Sequence, residues 1–142
     1  MGSRRKGRVL AFQALFSWDA VPGSIADLIE FAWMDEEEKE KIASDSLLFA
    51  RLLVTGALEK LDDIDSEIKS QLEHWDFERL SRVDLAILRM SVYSLKYQKD
   101  IPSSVTIDEA VDISKDFGSD DSYRFINGVL DGIKKRLDEA GE

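Results

Sequence analysis

Apolar side chains recur every three or four residues along nearly the whole chain, and no stretch alternates in the two-residue rhythm of a half-buried strand. Such a pattern restricts the chain to helices laid against one another. The fold class it predicts is all-α, with about six to seven helices. At 142 residues the chain fits a single domain, with an N-terminal helical half of about 1–75 and a C-terminal half of about 76–142. A domain near this size removes about 70% of its unfolded-chain surface from water, enough for a real core.

The first helix is predicted from about Ser3 to Asp19, with Val9, Phe12, Leu15, Phe16 and Trp18 turned inward, and Val21-Pro22-Gly23 stops it. Ser24, with Asp27 three residues on, forms an approximate capping box for a second helix whose stripe is Ile25, Leu28, Ile29 and Trp33. Asp35 to Lys41 reads as a solvated charge run, either a connection or a helix start. One long helix follows from Ser44, because Val54, Leu58, Leu61, Ile64, Ile68 and Leu72 keep to one side. Gly56 inside it costs about 1 kcal/mol against Ala, so it marks either a close neighbouring helix or a bend.

His74-Trp75-Asp76-Phe77 reads as a junction, with His74 a packed structural residue. The helix from Ser81 to Gln98 is apolar nearly all round, which places it centrally and makes Asp84 and Arg89 its informative charges. Pro102 ends the turn after it. Thr106-x-x-Glu109 reads as a capping box for the next helix, with Phe117 on that helix's apolar stripe. Gly118 reads as its left-handed C-terminal residue, and Ser119 or Asp120 as the start of the last helix. Asn127-Gly128 is a hairpin signal, but Phe125, Ile126, Val129, Leu130 and Ile133 keep helical spacing. A helix is expected there, with Gly128 at a close backbone contact or on a functional surface.

Several functions are disfavoured by what the sequence lacks. No cysteine is present and there is one histidine, so thiolate zinc sites, Cys nucleophiles and His clusters are unavailable. The eight glycines are scattered and form no phosphate-cradling loop. No apolar run reaches the length of a membrane span, and the start of the chain does not read as a signal peptide. A cytoplasmic, non-enzymatic protein with no cofactor and no metal is expected.

Charge is unevenly placed. The whole chain carries −10, yet residues 1–18 hold Arg4, Arg5, Lys6 and Arg8 with no acid, leaving −14 on the remainder. Screening within about 8–10 Å lets such a cluster act locally on an acidic body. Charge alone leaves two readings open: a solvated terminus or a phosphate-binding arm.

Specificity comes from the C-terminal half. Leu88-Arg89, Tyr93-Ser94-Leu95, Ile101-Pro102, Val105-Thr106-Ile107-Asp108-Glu109-Ala110, Lys115-x-Phe117-Gly118 and Phe125-Ile126-Asn127-Gly128-Val129-Leu130-Asp131 occur in this order. The string closely resembles the bacterial transcription antitermination factor NusB family, and Ala14-Leu15-Phe16-Ser17-Trp18 agrees more loosely. The resemblance covers essentially the full length. It implies an all-helical RNA-binding protein, two small helical bundles packed together, that pairs with NusE, a small-subunit ribosomal protein. The pair would recognise the boxA element of nascent ribosomal RNA transcripts and help assemble a transcription elongation complex that ignores terminators.

By position, the resemblance makes Arg4, Arg5, Lys6 and Arg8 an arm for RNA phosphates. It makes Gly118 through Phe125 a second RNA-facing surface, with Asp121 at its acidic position. Tyr123 or Phe125 would stack on a base, core packing being the other role open to each; Arg124 would keep a family positive charge, and Asn127 would hydrogen-bond RNA or cap a neighbouring helix. Asp84 falls at an acidic position facing NusE, while Ser94 stands where relatives often carry Glu. A homodimer that hides the basic arm is a further expectation. Two rival readings stay open: a free-standing equivalent of the RNA-binding domain of ribosomal RNA cytosine methyltransferases, and a purely protein-binding helical scaffold.

Overall fold

The structure is a computed structural model that describes residues 2–31, 33–73 and 76–141. His74 and Trp75, and with them the structural role expected of His74, lie outside the described residues. Among the described residues there are eight α-helices, one 3-10 turn and no strand. The helices are α1 (Ser3–Ala20), α2 (Ile25–Ile29), α3 (Glu36–Glu40), α4 (Ser44–Glu59), α5 (Leu61–Lys69), α6 (Arg82–Tyr97), α7 (Ser103–Phe117) and α8 (Ser122–Glu139). The 3-10 turn is Phe77–Arg79, so the end of the expected junction is a single turn leading into α6. None of the described helices is long and apolar enough to cross a membrane.

The all-helical expectation is met, and α6 takes the central place its composition predicts. It touches α1, α4, α5, α7 and α8, and even its charged residues Asp84 and Arg89 are buried. On one side α1 packs along α4; on the other α7 pairs with α8. A single apolar cluster runs through both sides, from Leu10 and Leu15 through Leu53, Ile87 and Leu88 to Ile126 and Ile133.

The chain from Ser44 to Leu72 is not one helix. It breaks at Lys60 (φ −109°, ψ 20°): both parts contact α6, but α4 otherwise packs on α1 while α5 reaches α8. Leu53, Val54 and Ala57 of α4 are buried on the side of the molecule built around α1. Ile64 and Ile68 of α5 are buried where α5 meets α6 and α8. At nine residues α5 is too short to persist on local propensity alone, and charges help fix it. Arg89 grips Asp65 through two hydrogen bonds of 2.9 Å and also reaches Asp19 of α1 at 3.4 Å. Lys96 donates to Asp63 at 3.0 Å and to Glu67 at 3.1 Å, and Arg136 of α8 also donates to Glu67.

Other expectations are corrected locally. Phe16 is exposed, as are Ile25 and Trp33, because α2 is only five residues long and cannot carry a stripe to position 33. The fully buried ring there belongs to Phe31, held at φ 54° with Trp33 edge-on against it. The charge run does form a short helix, its first turn closed by Asp35 accepting from the Glu38 amide at 2.8 Å.

Thr106 is not a cap. The carbonyl of Pro102 already accepts from the amides of Val105 and Thr106 at 3.0 and 3.2 Å, so α7 begins three residues earlier and Thr106 is buried within it. Gly118 is extended (φ −94°, ψ −170°) rather than left-handed. Serines close this corner instead: the Ser119 amide donates to Ser122 Oγ at 2.9 Å. A side chain at Gly118 would come within 2.6 Å of that hydroxyl. The last helix accordingly starts at Ser122, with Asp121 as its flanking residue. Asn127-Gly128 is helical as expected, but nothing lies within 4 Å of where a Gly128 Cβ would be. The glycine marks open surface and not a close contact.

Candidate nucleic-acid and partner surface

The four basic residues near the N-terminus occupy the first turns of α1 and so form no loose arm. Helical spacing sends them in different directions. Arg4 is exposed, with its guanidinium 5.2 Å from the centre of the Phe49 ring. Lys6 is half-buried. Arg5 turns to α7, where it donates to Glu109 and, at 3.0 Å, to Asp112. The hydrogen bond to Glu109 holds the Arg5 guanidinium above its usual pKa. Arg8 is only 4% exposed and packs 5.3 Å from the same Phe49 ring. Burial pushes its pKa down, with Arg4 and Arg5 adding repulsion.

The second expected region lies where α7 turns into α8. Asp121 is highly exposed and pairs loosely with exposed Arg124 at 3.5 Å, a surface contact of small energetic value. Tyr123 is half-buried, and its ring has the Lys115 ammonium and the Arg124 guanidinium each 5.2 Å from its centre. Asn127 is exposed one helical turn further on, and Gly118 is half-buried at the corner itself. Phe125 is half-buried and packs against the edge of the core.

The two regions lie along one helix. Arg5 meets α7 at Glu109, while Phe12 of α1 meets Phe117 near its end, ring centres 5.0 Å apart. At 1.5 Å per residue, Glu109 and Phe117 are separated by roughly 12 Å along α7. The start of α1 is thus tied to the middle of α7, and the last turns of α7 carry Phe117 against α1 and Lys115 against Tyr123 of α8. The sequence puts Phe117 on the apolar stripe, whereas it is 43% exposed; it gives Glu109 only a capping role and no role to Lys115 or Asp112. A signal for Lys115 existed in its place eight residues before Tyr123, across one tight corner. No local signal linked Glu109 to Arg5, 104 residues earlier.

Asp84 stands apart from a simple exposed contact. It is buried at the start of α6, where its amide donates to the Ser81 hydroxyl at 3.4 Å. Its Oδ1 has no hydrogen-bond partner among the described residues. Burial raises its pKa above the usual carboxylate value, with Ser122 at the head of α8 acting in the opposite direction. It lies on a groove of about 310 Å³ shared with Arg79, Leu80, Ser119, Asp121 and Phe125.

Among the described residues no group of three or more His, Asp or Glu is placed to hold a metal. Fold and surface together define a small all-helical binding protein, with cations and aromatic rings presented from neighbouring helices. The model of the NusB family matches residues 5–135, and the chain belongs to that family. It is 54% identical over 132 residues to the transcription antitermination protein NusB of Treponema pallidum (strain Nichols), covering 93% of this chain and 92% of that one. The crystal form of Thermotoga maritima NusB superposes with a TM-score of 0.81 at 39% identity, covering 93% of this chain and 90% of that chain. A crystal structure of antitermination factors NusB and NusE in complex with dsRNA superposes with a TM-score of 0.83 at 29% identity, covering 96% of this chain and 98% of that chain.

Proposed function

We propose that this chain is a non-enzymatic transcription antitermination factor. With NusE it binds the boxA element of nascent ribosomal RNA transcripts and helps assemble an antitermination complex on RNA polymerase. The observation that carries this reading is that the α1 cations and the cationic, aromatic α7–α8 corner both adjoin α7, in a family whose members are named for antitermination. The solved assembly of NusB and NusE with RNA supports both partners.

In this reading Arg4 and Lys6 supply phosphate contacts at the surface, and Arg5 and Arg8 supply them from the groove against α7. Arg124 and Lys115 hold phosphate beside Tyr123, whose ring is a stacking platform for a splayed base. Phe125 borders the separate groove that holds Asp84, Gly118 and Asp121 shape the corner, and Asn127 offers an amide on the adjoining turn. Asp84 serves NusE through the groove it lines. The surrounding acidity suits a basic protein partner and restrains non-specific RNA binding.

Arg4 and Lys6 give the cleanest test, because neither forms an ion pair among the described residues. Replacing both by Ala is expected to weaken boxA RNA binding about tenfold and to lower the slope of log affinity against log salt by roughly one to two. The thermal melt should stay near wild type. Unchanged affinity and slope, measured by fluorescence anisotropy at several salt concentrations, would remove the start of α1 from RNA binding.

A further inference from the structure

Two arginines at the start of α1 stand in opposite states. Arg5 is bound to Glu109 and Asp112 of α7. Arg8, three residues on, is buried to 4% exposure, forms no ion pair among the described residues, and has an Nη2 with no hydrogen-bond partner there. Both line a groove of about 460 Å³ with Gly2, Arg4, Val105 and Glu109. We propose that this groove is a latched phosphate site: Glu109 and Asp112 hold Arg5 in the free chain, and an RNA phosphodiester displaces them to pair with Arg5 and Arg8. The proposal rests on the RNA-binding reading and adds to it the residue at the floor of the site and the internal competitor for it.

A guanidinium taken out of water without a counter-charge is a standing cost in the fold. The Phe49 ring compensates only in part, since a ring face attracts a cation less than an anion does and this one is shared with Arg4. The carboxylate whose charge reaches Arg8 is Glu109, and Arg5 occupies it. Arg8 therefore lacks an anion that the chain itself does not provide. A phosphodiester meets that need, because it brings a full negative charge and two non-bridging oxygens that can accept from two guanidinium groups at once. The first turn of α7 borders the groove at Val105 and adds the positive end of a fifteen-residue helix.

The latch is weak enough to open. Arg5 and Glu109 are each about a quarter exposed and Asp112 about half exposed, which puts their pairing in the screened range where one anion readily replaces another. Opening it frees a carboxylate to water while the phosphate takes a buried charge as partner. A lone carboxylate or a small free anion gains less from the exchange, so the latch favours a polyanion held at several points.

The test uses the full chain with NusE, a short single-stranded boxA RNA, and the variants E109Q and R8M. Removing the competing charge in E109Q is expected to tighten RNA binding about threefold to tenfold. R8M is expected to weaken it about tenfold and to reduce the salt slope by about one, while its thermal melt without RNA is unchanged or higher. A lower melt for R8M with unaltered RNA affinity would show a purely structural arginine and overturn the proposal. So would an E109Q chain that binds RNA no tighter than wild type. Weaker association of R8M with NusE in the absence of RNA would assign the groove to a protein carboxylate and likewise overturn it. If wild type binds the RNA and both variants are inert, this site alone falls; if wild type binds no RNA, the functional reading falls with it.

Discussion

Asp84 carries its carboxylate where water has little access, and burial is the main reason its pKa is raised. A carboxylate whose folded pKa lies above its unfolded value imposes no penalty below the unfolded value. The penalty grows as pH rises toward the folded value and is constant above it. Asp84→Asn is therefore expected to melt higher than wild type at pH 7, with the difference closing toward about pH 4, near the unfolded value. A variant that melts lower at pH 7 would show that the charge stabilises the head of α8 by more than its burial costs. Single residues were the least legible part of the sequence. The cations at 4, 5, 6 and 8 were evident as a cluster, but their division into exposed, bridged and buried depends on Phe49, Glu109 and Asp112. Those partners are separated from them by tens to more than a hundred residues, a distance at which periodicity says nothing.

Elements were legible where one face meets one neighbour, and not where a helix changes partner. The spacing from Val54 to Leu72 was consistent with one straight helix, yet α4 packs on α1 and α6 and α5 on α6 and α8, and the chain bends at Lys60 between them. Likewise, the capping pattern at Thr106 is chemically sound but was pre-empted by Pro102, whose fixed φ starts α7 a turn earlier. Of the two roles open to Gly56, close approach is the one realised. A Cβ there would meet the Tyr93 ring at 2.1 Å, and Tyr93 is also stacked on Tyr97 with ring centres 5.7 Å apart. Gly56→Ala is expected to cost about 1–3 kcal/mol in urea unfolding, despite the better helix propensity of Ala. Truncating the ring should relieve the clash, so Gly56→Ala combined with Tyr93→Ala should cost less than the two changes added. Strict additivity would show that the ring is not what excludes the methyl group.

Over the whole molecule, the fold class followed from apolar periodicity because buried stripes at three and four residues have no solution other than packed helices. The C-terminal motif string carried the family, and its residues prove to be of two kinds. Ile107, Ala110, Ile126, Val129 and Leu130 are core, whereas Lys115, Phe117 and Asn127 are surface. The shared pattern thus encodes both how α7 and α8 pack and what they present. The charge is unevenly placed: a cationic start on α1 and a mixed cationic and aromatic corner both adjoin α7, on a body otherwise carrying a large negative excess. Such an arrangement favours RNA held at a few chosen points by a chain that also engages a basic protein. Anisotropy titrations of boxA RNA and a scrambled RNA of equal length and composition, each with and without NusE, test that claim most directly. NusE is expected to tighten boxA binding, and the pair to prefer boxA over the scrambled RNA by about tenfold or more at physiological salt. Equal affinity of the pair for both RNAs, or no gain from NusE, would contradict it.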